Sequence, residues 1–309
     1  MFKRILLMAD QRTRWQSALE RAAALARRHQ AELVVVDVLE NLPGHVEKLL
    51  RGQSLAAVQA AAIARRREQL ERATAPLQQA GICRAVRVLT GKPFLEVIRE
   101  VLREKHDLVM KAAEGKGGAR TRLFGSTDMH LLRVCPVPVW IIKPGQPPNY
   151  ARIVAAVDPD PTDDRRDSLN AQILCLAGEL ARAEQSELHV VHAWTMQRWG
   201  GLGISRAEQH ALAQQEQSWH EERIAALLKR WIPDDLQPQV HLLLGDARER
   251  VPALVRKLRA DLLVMGTVGR TEIPGFFIGN TAEDILNEVR SDVLTVKPRG
   301  FATPVRLAD

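Results

Sequence analysis

Ala112, Gly115 and Gly125 recur 154 positions later as Gly266, Gly269 and Gly279. The same ungapped register pairs Gly91 with Gly245, Val97 with Val251, Val101 with Val255 and Asp107-Leu108 with Asp261-Leu262. It continues through Thr127 with Thr281, Leu132 with Leu286, and Lys143-Pro144 with Lys297-Pro298. Solenoid and propeller repeats run roughly 20 to 50 residues, so a unit of this length is a duplicated domain. A chain of 309 residues fits two such domains. Residues 143–150 carry Pro144, Gly145, Pro147 and Pro148 and read as the linker, which puts the domains at 1–145 and 146–309.

Each half opens with an apolar run ending in aspartate, 5–10 and 153–158, as a strand buried on both faces of a parallel sheet requires. Helical stretches follow at 13–29 and 167–185, then second strands at 33–38 and 188–193. Third strands at 83–89 and 239–244 precede helices over 95–105 and 248–259. Fourth strands at 108–112 and 262–266 end at the repeated glycines, and helices starting near Thr127 and Thr281 lead to last strands at 137–142 and 293–296. Strand and helix alternating through right-handed crossovers give an open parallel α/β sheet of five strands per half. The last strands would be edges if each half stood alone; Pro136 and Pro138 limit hydrogen bonding there.

Each half also carries a long helical insert between its second and third strands. In the first, Leu55, Val58, Ala62 and Ile63 precede Arg65-Arg66-Arg67. In the second, Ser205 and Glu208 make a capping box, and Leu212, Trp219, Ile224, Leu227, Leu228 and Trp231 supply apolar side chains. Such inserts cover the sheet or line a groove for an acyl or lipid-like ligand.

The apolar run 2–9 contains Lys3 and Arg4 and is too short for a signal-peptide core or a membrane span, which points to a soluble cytoplasmic protein. Cys83, Cys135 and Cys175 show no metal-ligand spacing and read as buried apolar residues. The net charge of +7 comes from 44 basic residues spread over both halves and interleaved with 37 acidic ones, a pattern unlike a nucleic-acid-binding stripe.

Chemistry is concentrated at Gly266-Thr267-Val268-Gly269, followed after nine residues by Gly279-Asn280-Thr281 at a helix start. Glycine lets successive backbone N–H groups converge on an anion, and the helix N-terminus adds unsatisfied donors, so a phosphate fits there. The carboxyl end of a parallel strand is also where open α/β sheets bind ligands. The competing reading is a structural turn and cap, with Asn280 as N-cap three residues before Glu283.

This arrangement resembles the universal stress protein family, whose nucleotide-binding members carry Gly-x-x-Gly, nine residues, then Gly-Ser or Gly-Thr. The segment Phe276-Phe277-Ile278-Gly279-Asn280-Thr281-Ala282-Glu283 is similar to tandem-domain members of the E type. The resemblance implies two Rossmann-like domains of the adenine nucleotide α-hydrolase type, each a five-stranded parallel sheet flanked by helices. It implies ATP or ADP, with Mg²⁺, as ligand and a role in stress survival through ligand or partner binding, with slow ATP hydrolysis as an alternative. The family's binding roles fall on Asp158 and Ala193 for the base and on Gly266, Gly269, Gly279, Asn280 and Thr281 for ribose and phosphates. In the first half they fall on Asp10, Val38, Ala112, Gly115, Gly125 and Ser126. The resemblance also suggests that the last strands pair, making the chain an intrachain pseudo-dimer, and that chains pair as homodimers.

Both halves depart from the motif. Ala112 replaces a glycine, and Glu114 beside it opposes phosphate, although Lys116, Arg120 and Arg122 are near in sequence. Asn280 replaces the hydroxyl residue, and Trp194 is placed to fill the base pocket. His189 and His192 are three apart on a strand and face opposite ways, and His210, His220 and His241 add no ligand spacing, so no metal is expected. Asp10 and Asp158 lack an accompanying base or nucleophile and read as strand-end hydrogen-bonding groups, with no catalytic residue assigned.

Overall fold

The computed structural model describes residues 2–44, 54–114, 124–143, 145, 149–159, 164–196, 205–267 and 279–307. The chain forms two compact units, Met1–Pro148 with Ala302–Asp309, and Asn149–Phe301. The C-terminal segment thus belongs to the first unit, whereas the sequence division leaves it with the second.

The first unit runs β1 (Arg4–Met8), α1 (Gln16–His29), β2 (Glu32–Leu39), α2 (Leu55–Gln79), β3 (Cys83–Thr90), α3 (Pro93–Glu104), β4 (Leu108–Ala112), α4 (Ser126–Val134) and β5 (Val139–Ile142). Its strands lie in the order β3-β2-β1-β4-β5, all parallel. The second unit repeats the series as β6 (Arg152–Ala156), α5 (Asp164–Glu184), β7 (Glu187–Trp194), α6 (Arg206–Trp231), β8 (Gln239–Leu244), α7 (Ala247–Leu258), β9 (Leu262–Gly266), α8 (Asn280–Glu288) and β10 (Asp292–Val296). Its order β8-β7-β6-β9-β10 is the same, again parallel. The five-stranded parallel sheets expected from the alternation are present, as are the two tandem Rossmann-like units the resemblance implies.

The central strands are apolar because both faces are covered. Ile5, Leu6, Leu7, Leu108, Val109 and Met110 are buried in one unit, and Ile153, Val154, Leu262, Leu263 and Val264 in the other. Cys83 and Cys135 join the core, while Cys175 is only half-buried.

Several repeated residues have structural reasons. Asp107 Oδ2 and Oδ1 accept the backbone N–H groups of Lys3 and Arg4 at 2.7 and 2.9 Å, and Asp261 Oδ2 accepts those of Ala151 and Arg152 at 2.7 and 2.9 Å. Each carboxylate therefore pins the start of its unit's first strand. Gly91 and Gly245 have φ of 138° and 130°, a region L side chains rarely adopt. Their N–H groups donate to Leu39 O and Trp194 O at 3.0 and 2.8 Å, holding the turns after β3 and β8 to the ends of the neighbouring strands β2 and β7.

Candidate strand-end ligand sites

In each unit the strand order reverses between the first and fourth strands, which opens a crevice at their carboxyl ends. In the first unit that crevice lies beyond Met8 and Lys111, which are register partners. Asp10, Ala112, Gly125 and Ser126 gather around it, while Gly115, Lys116, Arg120 and Arg122 lie outside the described residues.

The first crevice is filled with charge. Lys111 is a lone cation in an apolar strand, completely buried, with Nζ 2.8 Å from Asp128 Oδ1, 3.2 Å from Glu114 Oε1 and 3.6 Å from Asp10 Oδ2. Arg12 adds a second cation, with Nη2 3.0 Å from Asp10 Oδ2 and 3.7 Å from Glu114 Oε1. Asp128 Oδ2 accepts the N–H groups of Glu114 at 3.0 Å and Gly125 at 3.1 Å, the latter at the start of α4. Glu114 lies across Gly125 so closely that an added Cβ there would sit 1.6 Å from its Oε2. The helix terminus assigned to a phosphate is therefore engaged by the protein's own carboxylates.

Burial pushes Asp10 toward the neutral form, but hydrogen bonds from Arg12 and the charges of Lys111 and Arg12 outweigh it and hold the carboxyl below the usual range. Burial dominates at Asp128 and raises it despite Lys111.

Beside the crevice, the base-lining position is also engaged. Val38 is buried and its N–H donates to the carboxylate of the preceding Asp37 at 2.7 Å. Arg66, from the insert helix α2, donates to Asp37 Oδ2 and, from Nη2, to Ala9 O at 2.7 Å, beneath the Trp15 ring 6.0 Å away.

The second crevice is built from different residues. Met265 and Ala282 stand where Lys111 and Asp128 stand in the first unit, so the buried ion cluster has no counterpart at those positions. Asn170 of α5 clasps the backbone of Asp158: its Oδ1 accepts the Asp158 N–H and its Nδ2 donates to Asp158 O, both at 3.0 Å. That leaves the Asp158 side chain 55 % exposed at the crevice. Gly266 lacks a Cβ where one would meet Leu169 Cδ2 at 2.6 Å, so the close approach it permits is used by α5.

Thr267 N donates to Val296 O at 3.4 Å, and Gly279 N donates to Thr267 O at 2.9 Å, which returns the chain to the start of α8. The N-cap there is Gly279, with no side-chain hydrogen bond; Asn280 is the first helical residue, exposed, and does not cap the helix as its position before Glu283 suggests. Thr281 is exposed in the first turn, and Gly269 lies outside the described residues. Buried Lys297, at the end of β10, donates to Thr267 Oγ1.

Ala193 is half-buried at the end of β7. By strand alternation Trp194 faces the opposite side, where its ring lies 4.8 Å from that of His220 instead of filling a pocket beside Ala193. His192 Nε2 lies 3.0 Å from His220 Nδ1, and His189 Nδ1 lies 3.1 Å from His241 Nε2. Spacing along the chain separates these histidines; parallel strand pairing and the insert helix join them in twos. Among the described residues no group of three or more His, Cys, Asp or Glu is placed to hold a metal ion, and no helix is long and apolar enough to cross a membrane.

On α6, Ile224 and Leu227 are buried, with Ile232 just beyond the helix end; Ile232 Cδ1 reaches within 3.4 Å of where a Cβ on Gly178 of α5 would be. This apolar stripe packs onto the unit, while Trp219 remains 40 % exposed.

Two parallel α/β units of one strand order, repeated along a single chain, define a tandem Rossmann-like protein. The universal stress protein family matches residues 1–143 and 149–297, and the chain belongs to that family. It is 28 % identical over 313 residues to Universal stress protein E of Escherichia coli (strain K12), covering 100 % of this chain and 98 % of the relative. The Salmonella typhi protein of the same name is 28 % identical over 312 residues, with the same coverage. Among solved structures, a putative universal stress protein from Pseudomonas aeruginosa UCBPP-PA14 superposes with a TM-score of 0.74 at 25 % identity, covering 96 % of this chain and 94 % of that one. A universal stress protein from Archaeoglobus fulgidus DSM 4304 shares the fold, with a TM-score of 0.56 at 16 % identity over 94 % and 98 % of the two chains.

Proposed function

We propose that this protein is a cytoplasmic stress-response binding protein whose second unit takes an adenine nucleotide, ATP or ADP with Mg²⁺, as a switch for partner contact. The observation that carries the reading is that the first unit's crevice and helix terminus are filled by its own ion cluster, which has no counterpart at the matched positions Met265 and Ala282. The first unit pairs Glu114, Asp10 and Asp128 with Lys111 and Arg12 in its crevice, and Asp128 already accepts the Gly125 N–H at the helix terminus a phosphate would use. The second has Met265 and Ala282 at the two matched positions and a helix terminus without a side-chain cap.

In this reading Asp158 meets the base beside Ala193, and Gly266, Gly269, Gly279, Asn280 and Thr281 meet ribose and phosphates. The clasp by Asn170 fixes the Asp158 backbone so that its carboxylate faces the ligand. Binding, rather than turnover, is the activity assigned. Native mass spectrometry of freshly purified protein tests it, with denaturing extraction to identify what is carried and calorimetry with ATP and Mg²⁺. One nucleotide per chain, weakened by Asp158→Ala, is expected; nucleotide-free protein that binds none by calorimetry overturns the reading.

A further inference from the structure

The two insert helices are fastened to their sheets at matching places by different chemistry. In the first unit Arg66 of α2 reaches Asp37, one residue before Val38, and the carbonyl of Ala9, one residue before Asp10. In the second, His192 stands one residue before Ala193; its Nδ1 lies 3.2 Å from the carbonyl of Val157, one residue before Asp158, and its Nε2 lies 3.0 Å from His220 Nδ1 on α6. An ion pair in one unit is a pair of imidazoles in the other.

The hydrogens of that pair follow from its neighbours. A carbonyl only accepts, so His192 Nδ1 carries a proton and Nε2 presents a lone pair. His220 Nδ1 faces that lone pair and therefore carries the proton between the rings. We propose that His192 and His220 form an acid-opened latch, which holds α6 against β7 when both are neutral and releases it when His192 takes up its own proton.

The steps balance as proton uptake from water. A first proton adds to His220 Nε2 and leaves the hydrogen bond between the rings intact. A second adds to His192 Nε2, removes the lone pair that the bond requires, and sets two imidazolium rings face to face at 3.0 Å. Burial lowers both groups, His192 being 3 % exposed, so neutral rings belong to the latched form. For a base held below its ordinary value, the stabilisation is complete above about pH 6.5 and lost as the pH falls through the folded value.

Among the described residues, the charged groups acting on the pair are few. Asp158, after β6, has Oδ1 4.0 Å from His192 Nδ1 and favours protonation of both rings, and Glu216, one turn before His220 on α6, favours that of His220. Arg223 of α6 lies over the Trp219 ring at 5.0 Å, and that ring meets His220 edge-on at 4.8 Å. From β8, the register partner of His192 is the uncharged Leu242, and from α5, Asn170 contributes only its amide to Asp158. His189 and His241 occupy the other face of β7 and titrate apart from α6.

Hydrogen exchange of the full chain between pH 7.5 and 5.5, expressed as protection factors, tests the latch and does not depend on nucleotide. Protection across α6 is expected to fall about tenfold to a hundredfold per pH unit below 6.5, as linkage to one or two protons requires, while β6 and β9 keep theirs. In His220→Gln, an amide donor replaces one titrating ring and the acid loss flattens. Unchanged protection of α6, equal loss in β6 and β9, or an undiminished acid response in His220→Gln would each overturn the proposal.

Discussion

The ammonium of Lys111 stands 2.8 Å from the carboxylate of Asp128, and neither side chain reaches solvent. Removing one member of such a pair strands the other in a low-dielectric interior, which costs more than deleting both. Lys111→Met is expected to destabilise the first unit by about 3–5 kcal/mol. Lys111→Met with Asp128→Ala, the pair found in the second unit, should cost measurably less than the two single changes added together. Denaturant unfolding of the three variants measures this, and strict additivity would contradict the cluster.

Asn170 tests the clasp on Asp158. Asn170→Asp keeps the acceptor but loses the Nδ2 donor to Asp158 O, and Asn170→Ala loses both bonds. Losing a bond to a part-buried backbone group costs about 1–3 kcal/mol, and the aspartate variant also sets a buried carboxylate oxygen against Asp158 O, so it should be the less stable. Thermal unfolding ranks them; if the proposed ligand site is correct, both also lose nucleotide affinity.

Gly91 and Gly245 should respond alike to Gly→Ala. Each has a strongly positive φ, and an added Cβ meets Glu96 Oε1 at 2.9 Å in one case and Arg250 Nε at 2.5 Å in the other. Those contacts are with flexible side chains that can move, so the strained backbone sets the cost, about 1–3 kcal/mol. A loss at one position and none at the other would argue against a shared turn.

Asp10 makes a prediction about acid. Its folded value lies below the ordinary 3.8, so the stability it contributes is present above that value and lost as the pH falls through the folded one. Asp10→Asn should be less stable at neutral pH, and the gap should narrow as the pH is lowered below about 4. Parallel stability curves for the two proteins would show that Asp10 contributes no such linkage.

The fold was legible because the repeat and the apolar strand runs act locally. Residues 108–112 and 262–266 come out as β4 and β9 at the expected bounds, set by the aspartates that pin their neighbours. The site was less legible because its decisive contacts join residues far apart in sequence. Glu114 was readable as an obstacle to phosphate, but its position across Gly125 depends on the packing of β4 against α4. Lys111 left a signal, a charge inside a strand buried on both faces, yet its three acidic partners come from three separate segments. Arg66 was hidden in a run of three arginines, of which α2 turns this one inward to Asp37. His192 and His220 are 28 residues apart, and only the return of α6 over β7 brings them together.

The five charges of the first crevice also constrain how that unit can change by descent. Replacing Lys111 or Arg12 leaves three carboxylates facing a single cation, so a one-step path to an open crevice that begins at either cation passes through a less stable protein. In the second copy Met265 and Ala282 occupy the matched positions, so neither of these two is tied to a charged partner of that cluster. Duplication has therefore left two halves of equal architecture with unequal evolutionary freedom.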